Sequence, residues 1–538
     1  MPGSLVWAST STALAPLDYH AVLATSLVLH LVAGLLFFVL LRRLFGRRWA
    51  ILVPLAVFLF STLTLPGTWW WTAALVQGPV HIAILLALLA QDEYLRTGRR
   101  LLILAAPVYL ALGLSFSPRA LLALPLMLVV AWLSAAGAEL SRSAWARRHV
   151  LLWLPLLAVA VPYGVLHAIK APTQPHGDVT LNSVLELFVG AVRETVLPGL
   201  LGGPWRWEAV GPVDSVADAH VLAQVGSAIV AGVVVILSMR RGAVAINAWI
   251  AALLFLLGLV VLTAFSPEFA VLGTAVIRDP LPFAEFALVA SLCGAFAWIP
   301  VTPDRPPRSE PSARTAAASF FGAFHIPSAL AAVTVAFVLG SFYSTYLLSK
   351  TWGQNPAASY VSNARESMRD LSPGEPLHDA AVPEKVVPPL LSPANLPSRI
   401  FGPLGLRAIT LRAGESTSVL RQFDRSGRLR DSHVDGIGPA VFETPDCLVE
   451  IGGKTKKVPL GSRTFDWPWV IQIDYEADKP GEVQITAGST QSVIQVDPAV
   501  TRMYIAVEGS FNSVTMRAPD NAVCIKYMAV GEPQPNGE

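Results

Sequence analysis

The residues best suited to chemistry lie between two apolar runs, in residues 170–220. There a Gly-Gly-Pro turn is followed by Trp205-Arg206-Trp207. An indole ring offers a flat apolar face to a sugar ring, and a guanidinium group forms charge-assisted hydrogen bonds with phosphate. We therefore predict that Trp205 and Trp207 stack on a sugar and that Arg206 binds a phosphate. Tryptophans also form aromatic belts at the bilayer surface, and that alternative stays open.

A second arginine suited to phosphate is Arg278, which comes just before an apolar run and is followed by Asp279. At this position the guanidinium group can bind the phosphate of a lipid in the outer leaflet. An Arg278–Asp279 pair at the interface, or an arginine that extends its head group into water, explains the same pattern equally well.

The C-terminal part contains a further aromatic motif and two cysteines. Asp466-Trp467-Pro468-Trp469 precedes the strand-like run VIQIDYEA. It predicts a sugar-stacking platform made by Trp467 and Trp469, with core and edge packing in a β-sandwich as the alternative. Cys447 and Cys524 fall in the same part, and we predict that they form a disulfide in a compartment that permits one.

Composition and missing motifs exclude several classes of function. The 39 Lys and Arg residues nearly balance the 37 Asp and Glu residues, for a net charge of +2. This disfavours nucleic-acid binding, which depends on neutralising phosphates. No P-loop, GxSxG, HExxH or dinucleotide motif occurs in the sequence, so no nucleotide site is predicted. No His/Cys cluster has zinc-ligand spacing, no cofactor is identifiable, and no pattern supports a divalent cation.

The candidate residues must be held by a membrane-embedded scaffold, because 53% of the 538 residues are hydrophobic and only 14% are charged. A helix needs about 20 mostly apolar residues to cross a bilayer, and helices satisfy their own backbone polar groups there. We predict a multi-pass transmembrane domain over residues 1–350. Its ten candidate helices lie near 18–41, 49–66, 76–91, 101–116, 119–137, 150–169, 221–239, 245–265, 285–300 and 326–349.

Basic residues predict the orientation of these helices. Fifteen fall in one set of alternate loops of residues 1–349 and five in the other, so the arginine-rich loops are predicted to be cytoplasmic. The N-terminus, the 170–220 loop and everything after residue 350 then lie outside the plasma membrane. Within that loop, Val184–Val196 has the spacing of an amphipathic helix on the outer interface. The first helix enters from outside without a signal peptide, so we expect an upstream helix and outer loop to be missing.

The C-terminal part has a different composition. Residues 351–404 are rich in proline and predict an extended extracytoplasmic linker. Residues 405–538 contain short β runs about every ten positions, which predict an antiparallel β-sandwich of jelly-roll or carbohydrate-binding type. The predicted strands are Leu406–Leu411, Ser418–Phe423, Val470–Tyr475, Glu482–Thr486, Gln491–Val496, Arg502–Val507, Ser513–Arg517 and Val523–Val530.

Two segments resemble the GT-C superfamily of membrane glycosyltransferases. The segment Leu17–Pro66, which contains the run HLVAGLLFFVLLRRLFGRRWAILVPLAVFLFSTLTLP, looks like the second and third helices of these enzymes with the cytoplasmic turn between them. The run IRDPLPFAEFALVASL, residues 277–292, resembles an arginine-containing motif before a late helix. The resemblance implies transfer of a sugar, with inversion, from a polyprenyl-phosphate donor on the outer leaflet.

The resemblance also implies an acidic general base in the first outer loop. We expect that loop to be missing from this chain together with the first helix, and Asp178 and Glu194 are then the candidates for the base. Departure of the phosphate needs positive charge, so Arg193 joins Arg206 and Arg278 as a candidate donor-phosphate ligand.

We therefore predict a GT-C-like glycosyltransferase, or its remnant, that acts in cell-envelope glycan assembly. Its predicted partners are the lipid bilayer, a polyprenyl-phosphate sugar and an envelope glycan. A non-catalytic membrane scaffold or sugar-binding accessory protein is the first alternative, and a transporter or flippase is the second.

Overall fold

A computed structural model describes residues 1–135, 142–170, 179–210, 214–301, 328–372, 374–406, 411–440, 444 and 446–537. The chain divides into two compact units. The first comprises Met1–Val210 and Asp214–Gln354, and the second contains the chain from Asn355 onward. Each unit has its own hydrophobic core, so each is described by itself.

The first unit is a bundle of apolar helices, as predicted, and the chain is a multi-pass membrane protein. Seven helices in the described ranges are long and apolar enough to cross a membrane, and three more are apolar but shorter. All ten overlap the ten predicted segments. The long helices are Tyr19–Phe45, Trp71–Thr97, Val150–Lys170, Val221–Met239, Ala243–Ala264, Leu281–Trp298 and Leu330–Trp352, and the shorter ones are Trp49–Phe60, Leu102–Phe116 and Pro118–Ser134.

Two further helices of this unit have local sequence causes. Thr180 begins helix Leu181–Gly190 with a capping box, in which its hydroxyl accepts from the Ser183 N–H. Helix Pro2–Leu14 was not predicted, because its serines and threonines interrupt the apolar pattern. It packs against the later helices Trp71–Thr97 and Leu102–Phe116.

The arginine-rich loops meet at one end of the bundle. Arg43 Nη1 lies 2.5 Å from Glu93 Oε2, and Arg96 Nε lies 2.9 Å from Asp92 Oδ1. Arg48 donates to the carbonyl of Pro300 at 3.0 Å. The Arg43–Glu93 and Arg48–Pro300 contacts join segments that the charge pattern assigns to one side, so that assignment agrees with the helix packing.

Loops of the other set meet at the opposite end. Arg119 Nη1 donates to the Leu281 carbonyl at 3.0 Å, and Ser61 Oγ donates to the Gly199 carbonyl at 3.0 Å. The two sets of loops thus lie at opposite ends of the bundle, and the ends differ in charge because the basic residues are concentrated in one set. The arginine-poor end carries the segments 179–210, 214–220 and 273–285.

The second unit is an antiparallel β-sandwich. Its strands are β3 Ser416–Thr417, β4 Arg421–Phe423, β5 Leu429–Val434, β6 Val449–Ile451, β7 Lys456–Pro459, β8 Pro468–Ala477, β9 Gly481–Ala487, β10 Thr490–Val496, β11 Arg502–Glu508, β12 Ser513–Arg517, β13 Val523–Gly531 and β14 Pro533–Pro535, while β1 Trp207–Val210 and β2 Asp214–Ala217 belong to the first unit.

The strands of the second unit form three sheets. A four-stranded sheet, in the order β10-β9-β12-β7, faces a five-stranded sheet, in the order β3-β11-β8-β13-β6, and β14-β5-β4 forms the third sheet. Ile485 and Val514 of the four-stranded sheet and Ile473 and Ile505 of the five-stranded sheet belong to one buried core.

Six of the predicted strands correspond to β8 through β13, and a seventh, Ser418–Phe423, covers β4. The predicted strand Leu406–Leu411 falls largely outside the described residues. Strands β3, β5, β6, β7 and β14 were not predicted. They are two to six residues long, and short strands with several polar residues give little alternation of apolar and polar positions.

The predicted disulfide is present. Cys447 and Cys524 are bonded across a sequence separation of 77 residues, and the bridge joins the chain before β6 to β13. Closing a loop of that length stabilises the folded state by about 4 kcal/mol through restriction of the unfolded chain. Cys293 is a buried free thiol in the first unit.

The segment predicted as an extended linker is partly folded. Residues Ala357–Ser367 form a helix. Tyr360 and Ala364 on this helix pack with Leu377, Phe401 and Phe423 in a separate buried cluster. The prediction failed because it weighed the prolines and not these spaced apolar side chains.

Two exposed leucines test the orientation of the bundle. Leu181 is 84% exposed near the arginine-poor end, and Leu101 is 85% exposed beside the arginine-rich loop. We expect a membrane-impermeant maleimide to label Leu181→Cys in intact bacterial cells and Leu101→Cys only after permeabilisation. Background labelling is low because Cys293 is buried and Cys447 is bonded to Cys524. The reverse pattern would refute the predicted orientation.

Candidate functional site

Two of the three predicted phosphate ligands lie together at the arginine-poor end. Strands β1 and β2 pair as an antiparallel hairpin, which holds Arg206 before it and Asp218 after it. Arg278 Nη2 lies 2.7 Å from Glu208 Oε2 and 3.0 Å from Asp218 Oδ1. Arg206 Nε lies 2.6 Å from Asp218 Oδ2. We call Arg206, Glu208, Asp218 and Arg278 the arginine–carboxylate cluster.

The backbone also fixes Arg278. Its Nε donates to the carbonyl of Ala217 at 3.1 Å, so one guanidinium group contacts three acceptors on the hairpin side. Arg278 ends the 3₁₀ turn Gly273–Arg278. Its carboxylate partners Glu208 and Asp218 are about 60 to 70 positions away in sequence, and Oδ1 of the neighbouring Asp279 accepts from the Leu281 N–H at 2.8 Å.

The electrostatics of the cluster favour exchange of partners. Its two cations and two anions give a formal charge of zero. The Arg278 side chain is 27% exposed and that of Arg206 is 65% exposed. Ion pairs in such partly exposed positions contribute about 1 kcal/mol or less each. A phosphate group carries more acceptor oxygens than a carboxylate and forms the same charge-assisted hydrogen bonds with a guanidinium group.

The third predicted phosphate ligand, Arg193, lies on an adjacent segment. Helix Leu181–Gly190 continues as a π-helix over Ala191–Val196, where an unbroken amphipathic helix was predicted. Arg193 Nη2 lies 2.6 Å from Glu194 Oε1, so this candidate base is paired with an arginine.

One hydrogen bond ties this π-helix to the Arg278 turn. Thr195 Oγ1 donates to the Ile277 carbonyl at 2.6 Å, and both residues are buried or nearly so. Gly190 permits the close approach, because a Cβ there would lie 2.3 Å from Ile277 Cδ1. The segment that carries Arg193 and Glu194 is therefore fixed beside the cluster. Asp178, the other candidate base, lies outside the described residues.

The tryptophans of the same loop pack on helix Ser328–Trp352. Trp205 Nε1 donates to the Gly340 carbonyl at 3.1 Å, and Trp207 Nε1 donates to the Ser344 carbonyl at 3.0 Å. Trp207 is buried with Ala217 and Leu348. The structure gives both indoles a packing role that anchors the hairpin, and sugar stacking by Trp205 and Trp207 stays a prediction.

Sequence reasoning missed the acidic half of this end of the bundle. Glu208 and Asp218 belong to or border four-residue strands, which are too short for a periodic signal. Glu285 is 3% exposed and lies 3.3 Å from Arg119 Nη1. Its only sequence signal is its place in the first turn of helix Ala284–Trp298, where a carboxylate interacts favourably with the helix dipole.

The second unit contains the other predicted aromatic residues. Trp467 Nε1 donates to Glu532 Oε1 at 2.8 Å, and Trp469 Nε1 donates to the Phe465 carbonyl at 3.0 Å. Trp467 is exposed and Trp469 is partly buried. Within the described ranges, no group of three or more His, Cys, Asp or Glu side chains is arranged to hold a metal ion.

Comparison with known proteins finds similarity among solved structures. No protein-family model matches the chain, and no curated protein matches it. Among solved structures it is similar to the crystal structure of ArnT from Cupriavidus metallidurans bound to undecaprenyl phosphate. The similarity covers 76% of this chain and 80% of that chain, with 16% identity and a TM-score of 0.39. Because a TM-score of this size does not establish a common fold, the function proposed below depends on residues of this chain.

Gly202 tests how the hairpin is anchored. Its φ is +91°, and an added Cβ would lie 2.8 Å from the Phe337 carbonyl oxygen of helix Ser328–Trp352. We expect Gly202→Ala to destabilise the first unit by about 1–3 kcal/mol, measured as a lower thermal-unfolding midpoint in detergent. Gly226→Ala is the matched control, because a Cβ there meets open space among the described residues. Equal midpoints for the two variants would contradict the packing described.

Proposed function

We propose that this protein is a GT-C-like membrane glycosyltransferase that takes its sugar from a polyprenyl-phosphate donor. The observation that supports the proposal most is the arginine–carboxylate cluster at the arginine-poor end of the bundle. There two guanidinium groups and two carboxylates lie within hydrogen-bond distance of one another. Sugar transfer from a lipid phosphate needs both kinds of group at one place, cations for the leaving phosphate and a base for the acceptor.

The arginines would bind the donor phosphate. In the resting state Arg278 contacts Glu208 and Asp218, and Arg206 contacts Asp218. The phosphate of the donor replaces at least one carboxylate on Arg278, and the guanidinium groups stabilise the negative charge that grows on the phosphate as it leaves. Arg193, on the neighbouring π-helix, can contribute further positive charge if it exchanges Glu194 for phosphate.

The same exchange would release the base. A carboxylate freed from Arg278 accepts the proton of the acceptor hydroxyl, whose oxygen then attacks the anomeric carbon on the face opposite the phosphate. The bond from that carbon to the phosphate oxygen breaks, polyprenyl phosphate leaves, and the configuration is inverted. Asp218 and Glu208 are the candidates from the cluster, beside Glu194 and Asp178 from the sequence.

The proposed location follows from charge. The arginine-rich end is assigned to the cytoplasm by the distribution of basic residues, so the cluster at the opposite end faces outward. The second unit would then lie outside the plasma membrane, where its disulfide is stable and where envelope glycans are assembled.

A non-catalytic scaffold is the second candidate function. The observation that favours it is the zero formal charge of the cluster, in which Glu208 and Asp218 already neutralise Arg206 and Arg278. A scaffold would keep these ion pairs permanently, as a structural link between the hairpin and the Arg278 turn.

An activity assay separates the two functions. The purified chain in nanodiscs is given polyprenyl phosphates carrying ¹⁴C-labelled arabinose, mannose, galactose or glucose, with envelope polysaccharide as acceptor. We expect labelled polymer from the wild type and a loss of about 100-fold or more in Arg278→Gln, because removal of one charge-stabilising donor has an effect of that size. Arg240→Gln is the control, since Arg240 is exposed at the end of helix Val221–Met239, away from the cluster.

Each outcome decides between the candidates. Transfer that survives Arg278→Gln would contradict the proposed site. A wild type that transfers none of the four sugars, while Arg278→Gln lowers its unfolding midpoint, would favour the scaffold.

A further inference from the structure

We propose that the second unit carries a binding site for neutral oligosaccharides, built from Phe465, Trp467 and Glu532. Binding at this site does not depend on whether the first unit is an enzyme or a scaffold. Phe465 is 62% exposed and Trp467 is 46% exposed, and their ring centroids are 6.0 Å apart at an interplanar angle of 52°. Two adjacent exposed aromatic rings are an unusual surface for a folded domain and mark an interaction site.

Trp469 is not one of the two exposed rings, but it holds the Phe465 ring in place. Its ring meets the Phe465 ring edge-on, with centroids 4.7 Å apart and an interplanar angle of 70°. Its indole N–H donates to the Phe465 carbonyl, which holds the Phe465 backbone and ring in place. The sequence motif therefore contributes one stacking tryptophan and one supporting tryptophan, and Phe465 supplies the second exposed face.

A polar group borders the aromatic rings. Glu532 is exposed and accepts the Trp467 indole N–H, which fixes the ring, and a carboxylate can accept several further hydrogen bonds from sugar hydroxyls.

The surface is rigid before any ligand binds. Thr464 donates from its N–H to the Phe511 carbonyl at 2.8 Å, and the Trp467 carbonyl accepts from the Gly509 N–H at 3.2 Å. From Pro468 onward the chain is paired with β11. Because the aromatic segment is held at both ends, binding costs little conformational entropy.

The charge around the rings favours a neutral sugar over a lipid surface or an anionic polymer. Asp466 lies between the two exposed rings in sequence, and Glu532 accepts the Trp467 indole N–H. Arg463 is close by in sequence, and its Nε donates to Ser510 Oγ at 3.0 Å. Carboxylates beside the rings repel phosphate head groups, whereas carboxylates and flat apolar rings suit sugar hydroxyls and C–H faces.

The binding test uses the full chain in nanodiscs of phosphatidylcholine, which avoids sugar-containing detergents. Neutral arabinan, mannan, galactan and glucan oligosaccharides are titrated by calorimetry. We expect binding of at least one oligosaccharide, weakened at least tenfold by Trp467→Ala, Phe465→Ala or Glu532→Gln. Leu390→Ala is the control, because Leu390 is 92% exposed in the same unit and away from the aromatic segment in sequence.

Three results would overturn the proposal. They are no binding of any of the four oligosaccharides at millimolar concentration, binding that all three variants retain, and binding of anionic vesicles that the same variants abolish. The last result would assign the aromatic rings to a membrane contact. Circular dichroism and an intact Cys447–Cys524 bridge, verified by non-reducing mass spectrometry, establish that each variant is folded.

Discussion

Asp218 holds the arginine-poor end of the first unit together. Its two carboxylate oxygens contact Arg206 and Arg278, and Arg278 contacts Glu208 and the Ala217 carbonyl as well. Through Arg278 the hairpin is joined to the turn Gly273–Arg278. Through the Thr195–Ile277 hydrogen bond that turn is joined to the π-helix. The relative positions of all three predicted phosphate ligands therefore depend on carboxylates that the sequence pattern does not single out.

The two ends of the bundle differ in the elements that their ion pairs join. At the arginine-rich end, Arg43 and Arg96 are paired with Asp92 and Glu93 on one helix end, and Arg48 binds a backbone carbonyl. These contacts close the ends of helices. At the other end Arg119 pairs with the buried Glu285 in the first turn of a helix, while the arginine–carboxylate cluster joins the hairpin to the Arg278 turn through partly exposed side chains. Because ion pairs between partly exposed side chains contribute little to stability, the cluster is suited to exchanging a carboxylate for an anionic ligand.

Composition and length predict the coarse architecture well. A membrane helix needs a long apolar run, and all ten predicted runs contain helices. Strands β8 to β13 follow the alternation of apolar and polar residues and were found, together with the disulfide. Pro2–Leu14 and β5 to β7 were missed, since short or polar segments give little periodic signal.

Only part of the candidate site in the first unit could be predicted from the sequence. Arg206 and Arg278 could be chosen for their chemistry, but their contact depends on a hairpin of two four-residue strands. The partners of Trp205 and Trp207 on helix Ser328–Trp352 are more than 130 positions away in sequence, and no local pattern indicates them. Tertiary packing determines what these two tryptophans contact, and composition does not predict it.

The most direct test of the central claim is a cryo-electron microscopy map of the full chain in nanodiscs with an added polyprenyl phosphate. We predict phosphate density within hydrogen-bond distance of the Arg278 guanidinium group, with Glu208 or Asp218 displaced from it. Phosphate density at Arg43 and Arg96, or an unchanged ion-pair cluster in the presence of saturating lipid phosphate, would contradict the account.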